Sequence, residues 1–333
     1  MPLDQSPRVE TFKSAHARYA AHAAAAAGYA FRSLDGEDGY LIEVSDGMRR
    51  AAFAAGAGSP YALNEVRAAS IARDKYFCAE VLRRASVPVL PGQLFFVTKR
   101  YAEMRAPGRE PEDARAFARR AAYPFFAKPL SASNGLHAEV IESAAAFEDY
   151  MARVAREHFA ILVQPYVRAP EHRVFVLEGR VLFSYQKSLP SVVGDGARTL
   201  AALIEALPRD EAASMPSRLA RDERGRRLAA DDVLPMGARA VLEGPANRAA
   251  GGGTSALRDG APEALAALAL KAAAAIGLKL AAVDVFDRSS EGDLSDLVVI
   301  EVNSNPMIAT LEENGRWDLI ETIWRANIDA ALR

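Results

Sequence analysis

One cysteine in 333 residues leaves the chain unable to close an intrachain disulfide. Cys78, beside Phe77, Val81 and Leu82, reads as a buried thiol of a reducing compartment, a core residue and not a nucleophile. Charge of one sign is equally scarce: 41 basic residues meet 43 acidic ones, for a formal net charge of -2. With the two signs mixed along the length there is no extended basic face to neutralise successive phosphates, and no nucleic-acid partner is expected. Long apolar runs are missing too. The Ala-rich stretch 20–27 has no Leu-rich centre and lies among Asp4, Glu10, His16 and His22, and 261–276 is broken by Glu263 and Lys271. Neither reads as a signal peptide or a bilayer span, so no membrane partner is expected and the cytoplasm is the expected location. No internal repeat of fixed period is readable.

What is present is apolar residues, half of the chain, enough for at least one large core in a protein of two or three lobes. A first helix ends at Gly28, and short apolar runs over 29–34 and 39–44 flank Asp35-Gly36-Glu37-Asp38 as in a hairpin. Residues 64–85 carry Ile71, Phe77, Val81 and Leu82 at helical spacing, which predicts one helix running into the turn Val87-Pro88-Val89-Leu90-Pro91-Gly92. The pattern then predicts a helix over 112–121, a strand over 124–129, a strand over 138–141 and a helix over 143–157 with Ser143 as N-cap. Strands over 160–163, 173–177 and 181–187 follow, the last two as a hairpin through Glu178-Gly179-Arg180. Residues 209–232 read as a charged loop. A helix over 262–276, strands over 280–286 and 297–302, and a helix over 318–332 complete an α+β chain whose strands suit antiparallel sheets.

Two apolar strands ending in acids carry the sharpest signal: Ala281-Ala282-Val283-Asp284 and Val298-Val299-Ile300-Glu301-Val302-Asn303. Alternation puts Glu301 and Asn303 on one face. If the two strands pair, Asp284 joins them and supplies a third oxygen ligand, a set that suits magnesium with water and phosphate oxygens filling the rest. The competing reading makes both acids caps at a solvated edge, yet an acid inside so apolar a strand is out of place as surface decoration. Lys128 offers a point charge for a polyphosphate, with Ser131, Ser133 and the N–H groups around Gly135 as a cradle. Lys75 is a second such cation, and either lysine taken alone reads equally as a solvated surface charge. The run Ile161 to Val167, with Gln164, Tyr166 and Val167, reads as a hinge where an adenine can lie against apolar side chains. Glu171 reads either as a ribose ligand or as a rim acid paired with Arg173.

The order of these features resembles the ATP-grasp superfamily, and most closely the ATP-grasp part of cyanophycin synthetases and bifunctional glutathione synthetases. The resemblance is carried by Gly39-Tyr40, Ala72-Arg73-Asp74-Lys75, the prolyl turn, Val193-Gly194-Asp195-Gly196, and Asn247 with Gly251-Gly252-Gly253. It implies an ATP-grasp fold: a small N-terminal lobe (1–70) and two α+β lobes (71–163 and 164–333) clasping ATP between antiparallel sheets. It implies Lys75, Lys128, Ser131, Ser133 and Gly135 at the phosphates, Gln164, Tyr166 and Val167 at the adenine, and Glu171 at the ribose. Asp284, Glu301 and Asn303 would hold two Mg2+ ions, with Mn2+ as the alternative. Arg173, Lys187, Asn247, Arg248 and the glycine run would surround the transferred phosphoryl and acyl groups, and Asn305 would help place substrate.

The implied activity is ATP-dependent joining of a small-molecule carboxylate to an amine through an acyl phosphate, on an amino acid or small peptide, in a protein of a superfamily where homodimers are common. The rival readings are a catalytically silent nucleotide-binding module and a small-molecule kinase. His137, standing where the loop usually ends on glycine, is the main departure. Neither a Mur-ligase-like domain nor a glutamate-cysteine ligase domain is read here, so a stand-alone ligase module is expected. Replacing Asp284 by Asn is expected to spare the fold.

Overall fold

Alternation along the strands of the largest sheet feeds two cores at once. In the computed structural model, which describes residues 12–55, 59–207, 219–246 and 252–333, strand Glu171–Leu177 sends Val174 and Val176 to one face and Phe175 and Leu177 to the other. Strand Leu280–Asp287 does the same, with Ala281, Val283 and Val285 opposite Leu280 and Ala282. These two strands lie side by side, antiparallel. Arg180–Ser188 extends the sheet on one side, followed by the short Gly253–Thr254, and Leu297–Asn303 forms the opposite edge. Helices Glu263–Ile276, Val66–Arg73 and Lys75–Arg84 cover the first face. The second is covered at one end by helices Ala15–Ala26 and Trp317–Ala331 and by the three-stranded sheet Ala30–Ser33, Leu41–Ser45 and Arg50–Ala54.

A second antiparallel sheet runs Gln93–Phe96, Ala160–Pro165, Phe125–Pro129, Glu139–Ile141. Helices Pro111–Ala118 and Ala144–Val154 close one face over Phe95, Phe125, Phe147 and Ile161. Ser143 caps the second of these helices as the sequence suggests, accepting from Ala146 N at 3.1 Å. The prolyl turn links the two sheets: Leu90 N donates to Val299 O and Val299 N to Pro88 O, each at 2.9 Å, before the chain enters Gln93–Phe96. Gly92 is needed there, because a Cβ would stand 2.8 Å from Leu162 Cδ1.

The structure corrects three sequence-based expectations. The single helix over 64–85 is two, because Asp74 leaves the helical region and caps a new helix, its Oδ1 accepting from Tyr76 N and Phe77 N at 2.9 Å. The break turns Phe77 outward, 55% exposed, while Cys78 is buried. Of the loop expected over 209–232, residues 209–218 lie outside the described residues, and 219–232 do not form one loop. Ala220–Asp222 and Arg227–Leu228 join Ser191–Val193 and Arg239–Leu242 in a fourth sheet, which packs on helix Leu200–Glu205 over a separate core. This small core takes only Ala220 and Leu228 from these two strands, and the residues between them are charged apart from Gly225, so the strands carry little apolar signal. Finally, the hairpin near the N-terminus gains the third strand Arg50–Ala54.

His16 on the first helix is buried against Tyr61 and Trp324, at ring distances of 6.0 and 5.8 Å. Burial pushes its imidazole down to about 4. The neutral ring is what the fold accepts, so above the unfolded value near 6.5 it has no effect on stability. Below that value the unfolded chain takes up a proton that the folded chain refuses until pH about 4. Urea midpoints should therefore fall between pH 6.5 and 4, by up to about 3 kcal/mol of stability, and His16→Phe should flatten that slope; an unchanged slope in the variant would remove His16 from this role.

Candidate functional site

The second face of the large sheet is apolar where the terminal helices cover it and charged where they stop. Leu280 and Ala282 lie in the core, and Asp284, next on the same face, is buried at 1% exposure. The register sets Arg173 and Glu301 beside it on either neighbouring strand. Arg173 grips both carboxylate oxygens, Nε to Oδ1 and Nη2 to Oδ2 at 2.7 Å. Lys187 Nζ stands 3.0 Å from the same Oδ2 and donates to Glu171 Oε1 at 2.5 Å. Asn303 Nδ2 lies 3.3 Å from Asp284 Oδ2 and 3.3 Å from Glu301 Oε1.

Glu301 reaches this face through a bulge. Val285 pairs with Val299 but Asp284 pairs with Glu301, leaving Ile300 as the extra residue. Without it, Glu301 and Asn303 would follow Val299 onto the helix-covered apolar face; with it, Val302 packs there instead.

The second sheet brings the remaining cations. Lys128, on the face of Phe125–Pro129 away from that sheet's helices, is buried at 6% exposure with its Nζ 4.0 Å from Glu301 Oε2. Lys75, first residue of the helix that Asp74 caps, donates from Nζ to Ala132 O at 2.8 Å and Leu130 O at 3.4 Å, holding the start of the loop after Lys128. Lys128 thus meets Glu301 across the space between the sheets, and the reading of Lys128 as an isolated surface charge does not hold.

Electrostatics follow from burial. For Asp284, burial works against the charge, yet Arg173 and Lys187 win and hold its carboxyl well below the usual carboxylate range. Glu301 is likewise lowered, Lys75 and Lys128 outweighing desolvation. Glu171 goes the other way, because burial dominates despite Lys187. Desolvation also lowers the Lys128 ammonium, with Glu301 opposing it. Three carboxylates therefore stand among four cations, Arg173, Lys187, Lys128 and Lys75, a balance that leaves room for an anion. Cys78, with burial pushing its thiol up to about 12, is inert as the sequence suggests.

Other expected residues are placed as follows. Glu171 is neither rim acid nor partner of Arg173: it pairs with Lys187. Gln164 is buried, its Nε2 donating to Leu90 O of the linking turn at 3.3 Å. Tyr166 lies under the Arg168 guanidinium, 5.5 Å from its ring centre, and Val167 is half-buried beside it. Ser131 and Ser133 are exposed on the loop after Lys128 and Gly135 has a positive φ of 71°. His137 takes φ 54°, the left-handed backbone that a glycine would adopt, so the departure keeps the turn at a cost of about 1 kcal/mol. Asn305 is exposed, and Tyr61 Oη donates to the neighbouring Pro306 O at 3.1 Å. Asn247, Arg248 and Gly251 lie outside the described residues, while Gly253 pairs with Ser188 next to Lys187. Two buried acids among the described residues were not singled out from the sequence: Asp287, whose Oδ1 accepts from Ser289 N at 3.0 Å, and Glu243. Glu243 receives Arg168 at 2.6 Å and Arg221 at 2.7 Å, tying the small fourth sheet to the segment after Ala160–Pro165. It follows the apolar strand Arg239–Leu242, the same pattern that marked Asp284, and that was its signal.

No known family profile matches the chain. In sequence it is similar to the glutathione biosynthesis bifunctional protein GshAB of Streptococcus mutans, 28% identical over 145 residues, 39% of this chain and 19% of that one. The Streptococcus agalactiae protein of the same name is 33% identical over 85 residues, 25% of this chain and 11% of that one. The chain thus spans about a fifth or less of the length of these curated relatives. Among solved structures it is similar to a bifunctional glutathione synthetase of Pasteurella multocida, with TM-score 0.49, 19% identity and coverage of 93% of this chain and 44% of that one. It is also similar to the D-alanine–D-alanine ligase of Bacillus anthracis, with TM-score 0.47, 11% identity and coverage of 79% and 69%. The structural neighbours are ATP-grasp ligases, the family that the sequence resembles. Among the described residues, no helix is long and apolar enough to cross a membrane.

The geometry argues against the expectation that Asp284→Asn spares the fold. Removing the carboxylate leaves Arg173 and Lys187 buried without it, which should cost about 3 kcal/mol or more in chemical denaturation. Lys128→Met should by contrast leave the ligand-free melting temperature unchanged or raised, because a desolvated charge is removed. The opposite ranking of the two variants would contradict this account of the site.

Proposed function

We propose that the chain is an ATP- and Mg2+-dependent carboxylate-amine ligase, forming an amide bond through an acyl phosphate on an amino acid or small peptide. The observation that carries this reading is the meeting of two antiparallel sheets at one charged point: Lys128 of one stands 4.0 Å from Glu301 of the other. In this reading residues 71–163 and 164–333 form the two lobes around the nucleotide, with 1–70 beside them. A carboxylate is a poor electrophile, since its charge is delocalised and its oxygen leaves badly, so amide formation in water needs activation. Phosphoryl transfer makes the carboxylate reactive, and catalysis is then chiefly a matter of position and charge.

Asp284, Glu301 and Asn303 offer oxygen atoms from two neighbouring strands, converging within 3.3 Å of the Asn303 amide. That donor set fits Mg2+, with Mn2+ as an alternative. The ions would supply neutralisation of the phosphate oxygens. Lys75 and Lys128 bind and orient the β- and γ-phosphates, and the loop 131–137 covers them. Gln164, Tyr166 and Val167 lie where the two sheets are linked and receive the adenine, with Glu171 toward the ribose. Arg173 and Lys187, both paired with Asp284, would hold the acyl phosphate and the oxyanion formed on amine attack. Asn247, Arg248 and the glycine run would close this side, and Asn305 would place the substrate. The amine's proton leaves to solvent, and the phosphate departs with one former carboxylate oxygen.

That oxygen is the test. With an 18O-labelled carboxylate, turnover should put one labelled oxygen in the released phosphate and a new amide in the product, seen by mass spectrometry. Hydroxylamine in place of the amine should give an ATP-dependent hydroxamate. Unlabelled phosphate beside the amide would exclude the acyl phosphate, and a stable phosphorylated product without free phosphate would make the protein a kinase. Glu301→Gln should lower turnover at least 100-fold, the scale expected when a main electrostatic stabiliser is lost.

A further inference from the structure

Three metal-ligating side chains stand together at the end of the loop 131–137. His137 closes that loop, and Glu157 and His158 lie in the turn that follows helix Ala144–Val154. One donor atom from each of the three can be chosen so that all lie within 4.8 Å of one another. The closest pair, His137 Nε2 and Glu157 Oε2, is 3.4 Å apart. Two ligands of a tetrahedral zinc ion, at 2.0–2.2 Å from the metal, are themselves about 3.3 Å apart. That spacing is already present, and only the second imidazole has to close in.

The backbone holds the three in place independently of any ion. Tyr150 Oη donates to His137 O at 2.9 Å, and His158 N donates to Val154 O at 2.8 Å. His137 is kept in a left-handed conformation, φ 54°, that a residue other than glycine adopts at a cost. The two imidazoles stand edge to face with centres 5.6 Å apart. His158 Nε2 is buried and has no hydrogen-bond partner among the described residues, a situation that a buried polar atom rarely tolerates.

We propose that His137, Glu157 and His158 bind one divalent transition-metal ion of the zinc type, with water completing the coordination. Two nitrogens and one carboxylate oxygen favour zinc over magnesium, whose preference is for oxygen alone. Bound there, the ion ties the end of the loop after Lys128 to the turn after helix Ala144–Val154. The site is distinct from the acids around Asp284 and does not depend on the ligase reading.

The chain, free of any histidine tag and stripped with EDTA, would be titrated with ZnCl2 by calorimetry in the presence of excess Mg2+. One ion per chain should bind, and affinity should fall roughly tenfold or more in Glu157→Gln and in His137→Asn. Asparagine tolerates the left-handed backbone at 137. Glu157 is solvent-exposed, so its exchange does not threaten the fold and this variant decides the matter by itself. Glu301→Gln should leave this binding in place, which separates it from zinc held by the other acids. Zinc binding equally tight in wild type and Glu157→Gln would overturn the proposal and leave His137 and Glu157 as an ion pair only.

Discussion

Arg173 and Asp284, joined by two hydrogen bonds of 2.7 Å across neighbouring strands, hold the centre of the structure. An aspartate at 1% exposure is costly to desolvate, and it persists because a guanidinium and the Lys187 ammonium occupy its oxygens. Lys187 is tied in turn to Glu171, and the Asn303 amide bridges Asp284 to Glu301. The result is a charged end on a sheet whose other end is packed with Leu280, Phe175 and Trp324. Such a network is stable as a set and costly to break at one member.

The same arrangement explains why two sheets are needed. A single antiparallel sheet can bury its charged end only against something that carries the complementary charge. Lys128 and Lys75 come from a sheet and a helix built by residues 75–165, and the linking turn pins that part to Val299 by two backbone hydrogen bonds. Gly92 lets the turn approach Leu162 closely enough for the link to be short. Gln164 Nε2 adds a side-chain hydrogen bond to Leu90 O of the same turn.

Much of this was legible from residues alone, for stated reasons. Continuous apolar runs marked the strands around Val174, Val283 and Val302, because both faces of the sheet are buried. Ser143 marked a helix start because its hydroxyl is suited to an orphan N–H, and that bond is present. Asp284, Glu301, Asn303 and Lys128 stood out as polar groups in apolar strands, and all four are brought together. Asp74 was less legible: its cap splits what apolar spacing presents as one helix, since spacing does not reveal where the backbone leaves the helical region. The small fourth sheet was hidden because its core draws on few residues from a charged segment.

By itself the sequence determined the α+β class, the strands that carry the acids and the order of cations and acids along the chain, because local periodicity and polarity are properties of neighbouring residues. Which residues face one another was decided only by the tertiary structure. Alternation from Val299 sends Glu301 to the apolar face; one bulged residue, Ile300, sends it to Asp284 instead. Glu171 was left open between ribose and Arg173, and the register of two neighbouring strands set it against Lys187. Cross-strand register, bulges and the approach of one sheet to another are contacts between residues far apart in the chain, and their energies are set by burial and charge pairing that no local pattern contains.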